Sequence, residues 1–349
     1  MRLTSRYGRQ KNNRKMKKLL LIATGGTIAS RYTNSGLSPR ISADDLLSYI
    51  PEAREFCTID TVQPFALDSS NISPDRWLQL SGLIEKNYEY YDGFVICHGT
   101  DTMAYTAAAL SYLIQNNRRP VVITGSQRPI DLAVTDARSN LMDSLRYASH
   151  DRAHGVSIVF GGKVIAGTRA KKEFSKSYNA FSSINYPDIA VIHDTRIIFY
   201  IDDKDHSTKP LRFCHHIDPK ILLYKLIPGS QGEVLDALLG SYDGLIIESF
   251  GVGGLPDYDG DGRFIKALEK WVKNGCMIVM ATQVTHDGSD LSVYQVGKVL
   301  KDRFPILESY DMTLEASVTK MMWAMGQTED AGERRKLFYT TVNHDLLLV

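Results

Sequence analysis

The chain has 349 residues, of which 43% are hydrophobic, so it is long enough to bury the cores of two or more domains. Its 41 basic and 40 acidic residues give a net charge of +1, which excludes a global field that would recruit nucleic acid or a membrane surface. No stretch approaches the roughly 18 to 20 apolar residues of a membrane helix. We therefore expect neither a nucleic acid nor a membrane as partner.

The first 17 residues are basic and lack the apolar core of a signal peptide. We expect residues 1–17 to be a disordered tail, either an unpacked leader or a stretch upstream of a true start at Met16. Contact with an acidic partner is the alternative. The four cysteines form no CxxC pair, which excludes a zinc ribbon or a disulfide framework and favours a reducing cytoplasm.

The run Lys18–Ala23 predicts a buried parallel strand, and it ends in Thr24-Gly25-Gly26-Thr27-Ile28-Ala29. The two glycines permit a sharp exit from the strand and a close approach of the backbone to a ligand. Thr27 therefore lies at the carboxyl end of a strand, where open α/β sheets bind ligands. Its hydroxyl is the candidate nucleophile, and a helix cap is the alternative role.

Two more units of strand, polar loop and helix follow along the chain. Phe94–Cys97 predicts a buried strand that ends in the loop His98–Thr102, and a helical pattern comes next. Pro120–Thr124 predicts a third strand, which leads into the loop Gly125–Pro129 and a further helix. This alternation indicates a parallel sheet with helices between its strands.

The rest of the chain divides into a hairpin, a polar linker and a second α/β region. Val156–Phe160 and Lys163–Thr168 predict a hairpin with a glycine turn. Residues 202–210 are polar and lack periodicity, and the α/β pattern restarts after them. We therefore predict an α/β fold with two doubly wound domains: a tail (1–17), a larger N-terminal catalytic domain (18–205), a linker (206–225) and a smaller, flavodoxin-like C-terminal domain (226–349).

A nucleophilic threonine needs a proton acceptor and a group that stabilises negative charge, so Thr27 is not sufficient by itself. Thr100 and Asp101 supply a hydroxyl and a carboxylate at the end of a neighbouring strand, and Lys172 supplies an amine that can pair with both. The alternatives are a helix cap for Asp101 and a solvated surface charge for Lys172. Their occurrence together at successive strand ends favours a catalytic relay.

The chain resembles the type I, cytoplasmic bacterial L-asparaginases. The resemblance covers roughly Lys18 to Thr328 and depends on TGGTIA at Thr24–Ala29, HGTDT at His98–Thr102 and ITGSQRPI at Ile123–Ile130. It implies a two-step hydrolysis of an amide side chain, with an acyl-threonine intermediate and ammonia released first.

Carried over by position, the resemblance makes Thr27 the nucleophile and makes Thr100, Asp101 and Lys172 the second catalytic group. The adjacent Lys171 leaves the lysine assignment open by one residue.

The same resemblance implies the substrate contacts. The loop Asp68-Ser69-Ser70 would hold the α-carboxylate of the amino acid through Ser69 and Ser70, and a helix-entry turn is the alternative for this loop. Asp101 would pair with the α-ammonium, and the Ser126 carbonyl would orient the leaving amide.

One position departs from the family pattern. Many members carry a tyrosine on the loop after the nucleophile, and the matching residue here is Leu37. Tyr32 lies on the same loop, and Tyr294 matches a position that some relatives use instead. We favour Tyr294 as the residue that assists Thr27.

No cofactor or metal ion is expected. Asp257–Gly262 copies the first half of a calcium loop, but the twelfth position, which needs a bidentate glutamate, is Leu268. No complete GxGxxG or GxxxxGK[ST] motif is present, so nucleotide chemistry has no support. The paired residues His215 and His216 lack metal-ligand spacing.

Three functions remain open at this point. The first is hydrolysis of free L-asparagine, with a homodimer or homotetramer implied by the resemblance, because the C-terminal domain of one subunit completes the site of its neighbour in that family. The second is an asparaginase-like subunit of a tRNA-dependent amidotransferase, and the third is a non-catalytic amino-acid-binding module. We favour the first over the second because a short basic tail, and not a larger domain, precedes the TGGTIA strand, and over the third because Thr27 and Thr100 are both present.

Overall fold

The computed structural model describes residues 16–34, 36–201, 209–257, 260, 262–293 and 295–347. Within these residues the chain forms a larger and a smaller sheet, each covered by helices, and the predicted α/β class with a larger N-terminal and a smaller C-terminal domain is confirmed. None of the helices in this described part combines the length and apolar character needed to cross a lipid bilayer.

The larger sheet has eight strands in the spatial order β8-β7-β6-β5-β4-β3-β1-β2. In chain order they are β1 (Lys17–Ala23), β2 (Cys57–Val62), β3 (Gly93–Cys97), β4 (Val121–Thr124), β5 (Val156–Phe160), β6 (Lys163–Ala166), β7 (Ala190–His193) and β8 (Arg196–Phe199). Strands β1 to β5 are parallel, and β6 to β8 extend the sheet in antiparallel fashion. The predicted hairpin is the pair β5 and β6.

The strand order reverses between β1 and β3, which lie side by side. In a doubly wound sheet such a reversal opens a crevice at the carboxyl ends of the two strands, and this crevice is where ligands bind. The loops that follow β1 and β3 contain Thr27 and Thr100, respectively.

Nine helices flank the two sheets in the described residues: α1 (Ala43–Ser48), α2 (Pro74–Asn87), α3 (Met103–Leu113), α4 (Ala137–Ala148), α5 (Glu233–Leu238), α6 (Arg263–Lys273), α7 (Gln295–Arg303), α8 (Leu314–Gln327) and α9 (Ala331–Tyr339). Helices α2 and α3 pack on one face of the larger sheet, and α1 and α4 pack on the other. Because both faces are covered, β1, β3 and β4 are apolar along almost their whole length, as the sequence predicted.

The smaller sheet has four parallel strands: β9 (Ile221–Lys225), β10 (Gly244–Ser249), β11 (Met277–Thr282) and β12 (Leu307–Glu308). Their order follows the chain, so this sheet lacks the reversal seen in the larger one. Helices α5 to α7 lie on one face, and α8 and α9 lie on the other. Tyr112 of α3 stacks on Trp323 of α8 with ring centroids 5.8 Å apart, which joins the two domains.

The domain boundaries differ from prediction in two places. Residues 221–225, placed in the predicted linker, form β9 and pair in parallel with β10. This strand lies at the edge of its sheet and is half exposed, although its residues Ile221–Tyr224 are all apolar. Lys17, placed in the predicted tail, pairs with Cys57 as the first residue of β1, whereas residues 1–15 lie outside the described residues.

Candidate active site

The loops after β1 and β3 contact each other directly through main-chain atoms. Ala23 and Cys97 are in register at the ends of the two strands, and Thr24 donates from its amide and its hydroxyl to the Cys97 carbonyl. A Cβ on Gly26 would lie 2.3 Å from the Gly99 nitrogen, so only glycine fits, and the φ of +75° at Gly26 also favours glycine. Thr27 and Thr100 are therefore the residues that immediately follow two touching glycines.

Thr27 begins a single turn of 3₁₀ helix, Thr27–Ala29, and is partly exposed. The N-cap of this turn is Gly26, which has no side chain, and Ser30, not Thr27, donates its hydroxyl to the Gly26 carbonyl. Among the described residues the Thr27 hydroxyl has no hydrogen-bond partner, so a structural capping role for Thr27 is not observed.

Thr100, Asp101 and Lys172 meet as the sequence predicted. The Lys172 ammonium donates to Thr100 Oγ1 at 2.7 Å and to Asp101 Oδ1 at 2.6 Å. Thr100 is buried and the Lys172 side chain is 17% exposed, whereas the Asp101 side chain is 67% exposed. The ammonium thus bridges a buried hydroxyl and a carboxylate that is open to the crevice.

The structure separates the two adjacent lysines. They lie on the short strand Ala170–Lys172, which pairs with Phe181–Ser183, and successive side chains of a strand point to opposite sides. Lys172 contacts Thr100, while Lys171 lies beside Glu315 of α8 and lines a small cavity between the domains. The geometry therefore selects Lys172 for the cluster.

The loop with Ser69 and Ser70 reaches the same crevice. The Leu67 amide donates to the Thr24 carbonyl, and the Leu67 carbonyl accepts from the Gly26 amide. Thr102 donates from its hydroxyl to the Ser69 carbonyl at 2.8 Å, so this loop is tied to both neighbours. Ser69 is buried and Ser70 is exposed.

The helix-entry turn proposed as the alternative for this loop is present. The Asp68 carboxylate accepts from the amide and the hydroxyl of Ser70, and these bonds lower the pKa of Asp68. A turn of this kind does not occupy the Ser69 side chain, which approaches Gly99.

Ser126 follows β4 and is fully buried. Gly125 packs so closely on the His98 carbonyl that a Cβ there would lie 2.3 Å from its oxygen. The Asp136 carboxylate accepts from the amides of Gln127 and Arg128 and so fixes this loop. Asp136 was not predicted from the sequence; its position just before the first residue of α4 is the only signal for it.

His98 is buried at the base of the second loop. Trp77 donates to Thr106 Oγ1, and this hydroxyl lies 3.0 Å from His98 Nε2. His98 Nδ1 lies 2.7 Å from the Gly99 carbonyl. Since a carbonyl can only accept, Nδ1 carries the proton and Nε2 accepts from Thr106. Burial lowers the pKa of His98 to about 4, so the imidazole is neutral at pH 7. In this form it shapes the loop.

We expect His98 to make the protein less stable in mild acid. Its pKa is about 4 in the folded chain and 6.5 in the unfolded chain, so its contribution is complete above pH 6.5 and is lost as the pH falls to about 4. At about 1.4 kcal/mol per pKa unit the loss is about 3 kcal/mol. Urea unfolding at pH 7 and pH 4.5 measures it.

The control for this prediction is His98→Gln, which cannot titrate. The variant should be less stable at pH 7 but should show a weaker dependence of its unfolding free energy on pH. An unchanged difference between the two pH values in His98→Gln would show that other groups account for the acid sensitivity.

The two tyrosine candidates differ in what the structure describes. Tyr32 lies on a hairpin of Ser30–Thr33 and Gly36–Pro39, opposite Leu37, and its side chain is 66% exposed. Tyr294 lies outside the described residues.

Within the described residues, no cluster of three or more histidine, cysteine or acidic side chains has the geometry of a metal site.

Two threonine loops at a topological switch point, with a lysine bonded to both the second threonine and a carboxylate, define the class of protein. The chain is a two-domain α/β enzyme of the amidohydrolase type, built around threonine hydroxyls.

Comparison with known proteins gives the family. Residues 18–204 match the model of the asparaginase N-terminal domain, and residues 220–338 match that of the glutaminase/asparaginase C-terminal domain. The chain belongs to the asparaginase family. It is 39% identical to the L-asparaginase of Thermococcus kodakarensis, over 92% of this chain and 96% of that protein. It is 32% identical to a glutamyl-tRNA(Gln) amidotransferase subunit of Pyrococcus abyssi, over 92% of this chain and 74% of that protein.

Solved structures agree with this assignment. The thermostable L-asparaginase from Thermococcus kodakarensis superposes with a TM-score of 0.89 at 36% identity, covering 95% of this chain and all of that one. L-asparaginase I from Vibrio cholerae gives a TM-score of 0.85 at 28% identity, covering 96% of this chain and all of that one.

Proposed function

We propose that the chain is an L-asparaginase of type I, which hydrolyses L-asparagine to L-aspartate and ammonia. The observation that carries this proposal is the contact of Lys172 with Thr100 and Asp101, beside the glycine contact that brings the Thr27 loop to the Thr100 loop. The identity to an L-asparaginase over almost the full length of both chains supports the same activity.

In the proposed first step the Thr27 hydroxyl oxygen attacks the side-chain amide carbon of asparagine. The hydroxyl proton is transferred to the departing nitrogen, the C–N bond breaks, and ammonia leaves an acyl ester on Thr27. In the second step a water attacks this ester, and Thr100, which the Lys172 ammonium holds in place, orients the water and relays its proton towards the departing Thr27 oxygen. The proton returns to Thr27 as aspartate is released, so the enzyme is regenerated.

The proposed substrate contacts use the three loops around the crevice. Ser69 and Ser70 would hold the α-carboxylate, with the Ser70 hydroxyl turning from Asp68 to the substrate, and the Ser126 carbonyl would accept from the side-chain amide. Lys172 occupies Oδ1 of Asp101, so Oδ2 is available to the substrate ammonium. A substrate without its α-ammonium would leave this carboxylate unpaired and should react poorly.

A tyrosine would assist Thr27 by polarising its hydroxyl, and we favour Tyr294 over Tyr32. The exposure of Tyr32 on a hairpin supports this order, because an exposed phenol must move into the crevice to act. The values of kcat for Tyr294→Phe and Tyr32→Phe decide between them, since only the acting tyrosine should lower kcat by about 10²-fold or more when it is replaced.

The activity is tested by ammonia release from L-asparagine and L-glutamine, assayed separately with the purified chain. We expect ammonia and aspartate to form in equal amounts from asparagine. The sequence does not set the ratio of asparagine to glutamine turnover, and the same assay measures it. Absence of turnover with both amides in a folded sample would refute the proposal.

The alternative function is that of an ammonia-supplying component of an amidotransferase, and the similarity to the amidotransferase subunits of two Pyrococcus species supports it. The two functions differ in their need for a partner. Such a component would release ammonia at a useful rate only with its partner and the charged tRNA, whereas an asparaginase turns over asparagine unaided. A large stimulation of turnover by those additions would favour the alternative.

We further propose that the chain acts in the cytoplasm as a homodimer or homotetramer. In the family that the chain resembles, the C-terminal domain of a neighbouring subunit completes the site, and the four free cysteines of this chain suit a reducing compartment. Light scattering on the purified protein measures the assembly, and a monomer with full activity would contradict the shared site.

A further inference from the structure

Among the described residues, Arg169 is the largest charged side chain that is fully buried, and it lies three residues before Lys172. Its guanidinium donates from Nε to the His344 carbonyl at 2.5 Å and from one terminal nitrogen to the Asp311 carbonyl at 2.8 Å. The other terminal nitrogen pairs with the Asp311 carboxylate at 2.7 Å. A planar, forked donor is needed to reach these three acceptors together, and a lysine has no such geometry.

The acceptors belong to the C-terminal domain and to the residues that follow it, Asn343–Leu347, which we call the C-terminal segment. Asn343 and His344 have φ of +48° and +66°, a left-handed conformation that non-glycine residues adopt only where their surroundings impose it. This turn presents the Asn343 carbonyl to the Thr168 hydroxyl and the His344 carbonyl to Arg169.

The C-terminal segment is itself fixed from both domains. Asp345 is fully buried, pairs with Lys320 of α8 at 2.5 Å and accepts from the Tyr112 hydroxyl of α3. The Leu347 amide donates to the same Asp311 carboxylate that binds Arg169. Arg169 is therefore bonded to a rigid part of the molecule.

The strand Ala170–Lys172 connects this anchor to the catalytic cluster. Ala170 is buried against α3, and the Arg169 carbonyl accepts from the Ile184 amide. Lys172 is at the far end of the strand, where its ammonium must reach Thr100 at 2.7 Å. Only two residues separate the anchor from the lysine, so a shift of the strand at Arg169 moves the Lys172 backbone directly.

We propose that Arg169 is a positioning residue for Lys172, which holds the lysine on Thr100 and Asp101 by anchoring its strand to Asp311 and to the C-terminal segment. The proposal rests on the proposed function of Lys172. It makes turnover depend on Asp311 and His344, which lie 142 and 175 positions further along the chain.

The test compares kcat and KM for asparagine in Arg169→Met, Arg169→Lys and Arg334→Met. Arg334 is the matched control, a buried arginine of α9 that donates to the Thr328 carbonyl and pairs with Glu329. A misplacement of about 1 Å at a catalytic group costs about 10²-fold, so we expect kcat of Arg169→Met to fall by about that factor, with KM changed less than about threefold. Arg169→Lys, which keeps the charge, should recover part of kcat.

Thermal melting of the same proteins separates positioning from general destabilisation. Both methionine variants should melt at lower temperature, but Arg334→Met should keep the native kcat per folded molecule. If Arg169→Met does not fold, the lower kcat expected of Arg169→Lys remains as the test. Native kcat in a folded Arg169 variant, or an equal loss of kcat in Arg334→Met, would overturn the proposal.

The variant Lys172→Met shows whether a negative result contradicts the positioning role of Arg169 alone or also the catalytic role of Lys172. If Lys172→Met retains native kcat, the catalytic assignment of the lysine fails and the positioning role fails with it. If Lys172→Met is inactive while folded Arg169→Met retains native kcat, only the positioning role fails.

Discussion

Replacing Thr27 by alanine is expected to lower kcat for asparagine by about 10⁴-fold or more, because loss of a nucleophile removes the covalent path altogether. The melting temperature should change little, since the Thr27 hydroxyl bonds to none of the described residues and the side chain is partly exposed. The measurement is steady-state ammonia release, with denaturant unfolding on the same samples.

Thr27→Ser is the matched control, because it keeps the hydroxyl and removes one methyl group. It should retain measurable turnover and should form the acyl ester that Thr27→Ala cannot form. A mass increase on the serine or threonine protein after rapid acid quench, absent from the alanine protein, would identify the ester. Substantial turnover by Thr27→Ala would exclude Thr27 as the nucleophile.

Replacing Lys172 by methionine is expected to lower kcat by about 10³-fold, within the range that a positioned acid or base contributes. The ammonium bonds to both Thr100 and Asp101, so its loss removes the only charged donor to the Thr100 hydroxyl among the described residues. The stability change should be less than about 1 kcal/mol, because the Asp101 partner is two-thirds exposed and solvent screens the pair.

Lys171→Met is the matched control for this second prediction. It removes the same charge one residue away, on the opposite side of the strand and beside Glu315. Its kcat should stay within a small factor of the native value. If Lys171→Met loses activity and Lys172→Met does not, the lysine assignment belongs to the neighbouring residue after all.

The site could be predicted to the extent that it depends on strand ends. Thr27 and Thr100 follow two apolar runs, and the carboxyl ends of neighbouring parallel strands meet at one edge of a sheet. The alternation of strands and helices predicted that the Thr100 loop follows a neighbouring strand, and the register of Ala23 with Cys97 confirms it. Lys172 has no such local signal, and the need for an amine beside Thr100 and Asp101, together with the family resemblance, indicated it.

The residues that hold the site in place could not be predicted, because they come from distant parts of the chain. Asp311 and His344 bind Arg169 across 142 and 175 residues, and no periodicity connects positions so far apart. His98, Thr106 and Trp77 likewise come from three different segments. Strand β9 was missed for another reason, since the linker predicted after the polar residues 202–210 was extended over its apolar residues Ile221–Tyr224.

The contact between Gly26 and Gly99 restricts how this enzyme can be redesigned. Main-chain atoms set the separation of the two loops at Gly26, so any larger residue there forces the loops apart, and a Cβ on Gly99 would instead collide with the Ser69 side chain. Efforts to admit a longer amide should leave both glycines untouched. They should vary instead the segment near Phe174 and Ser177, whose carbonyls are tied to Thr100 only through the Gln127 side chain.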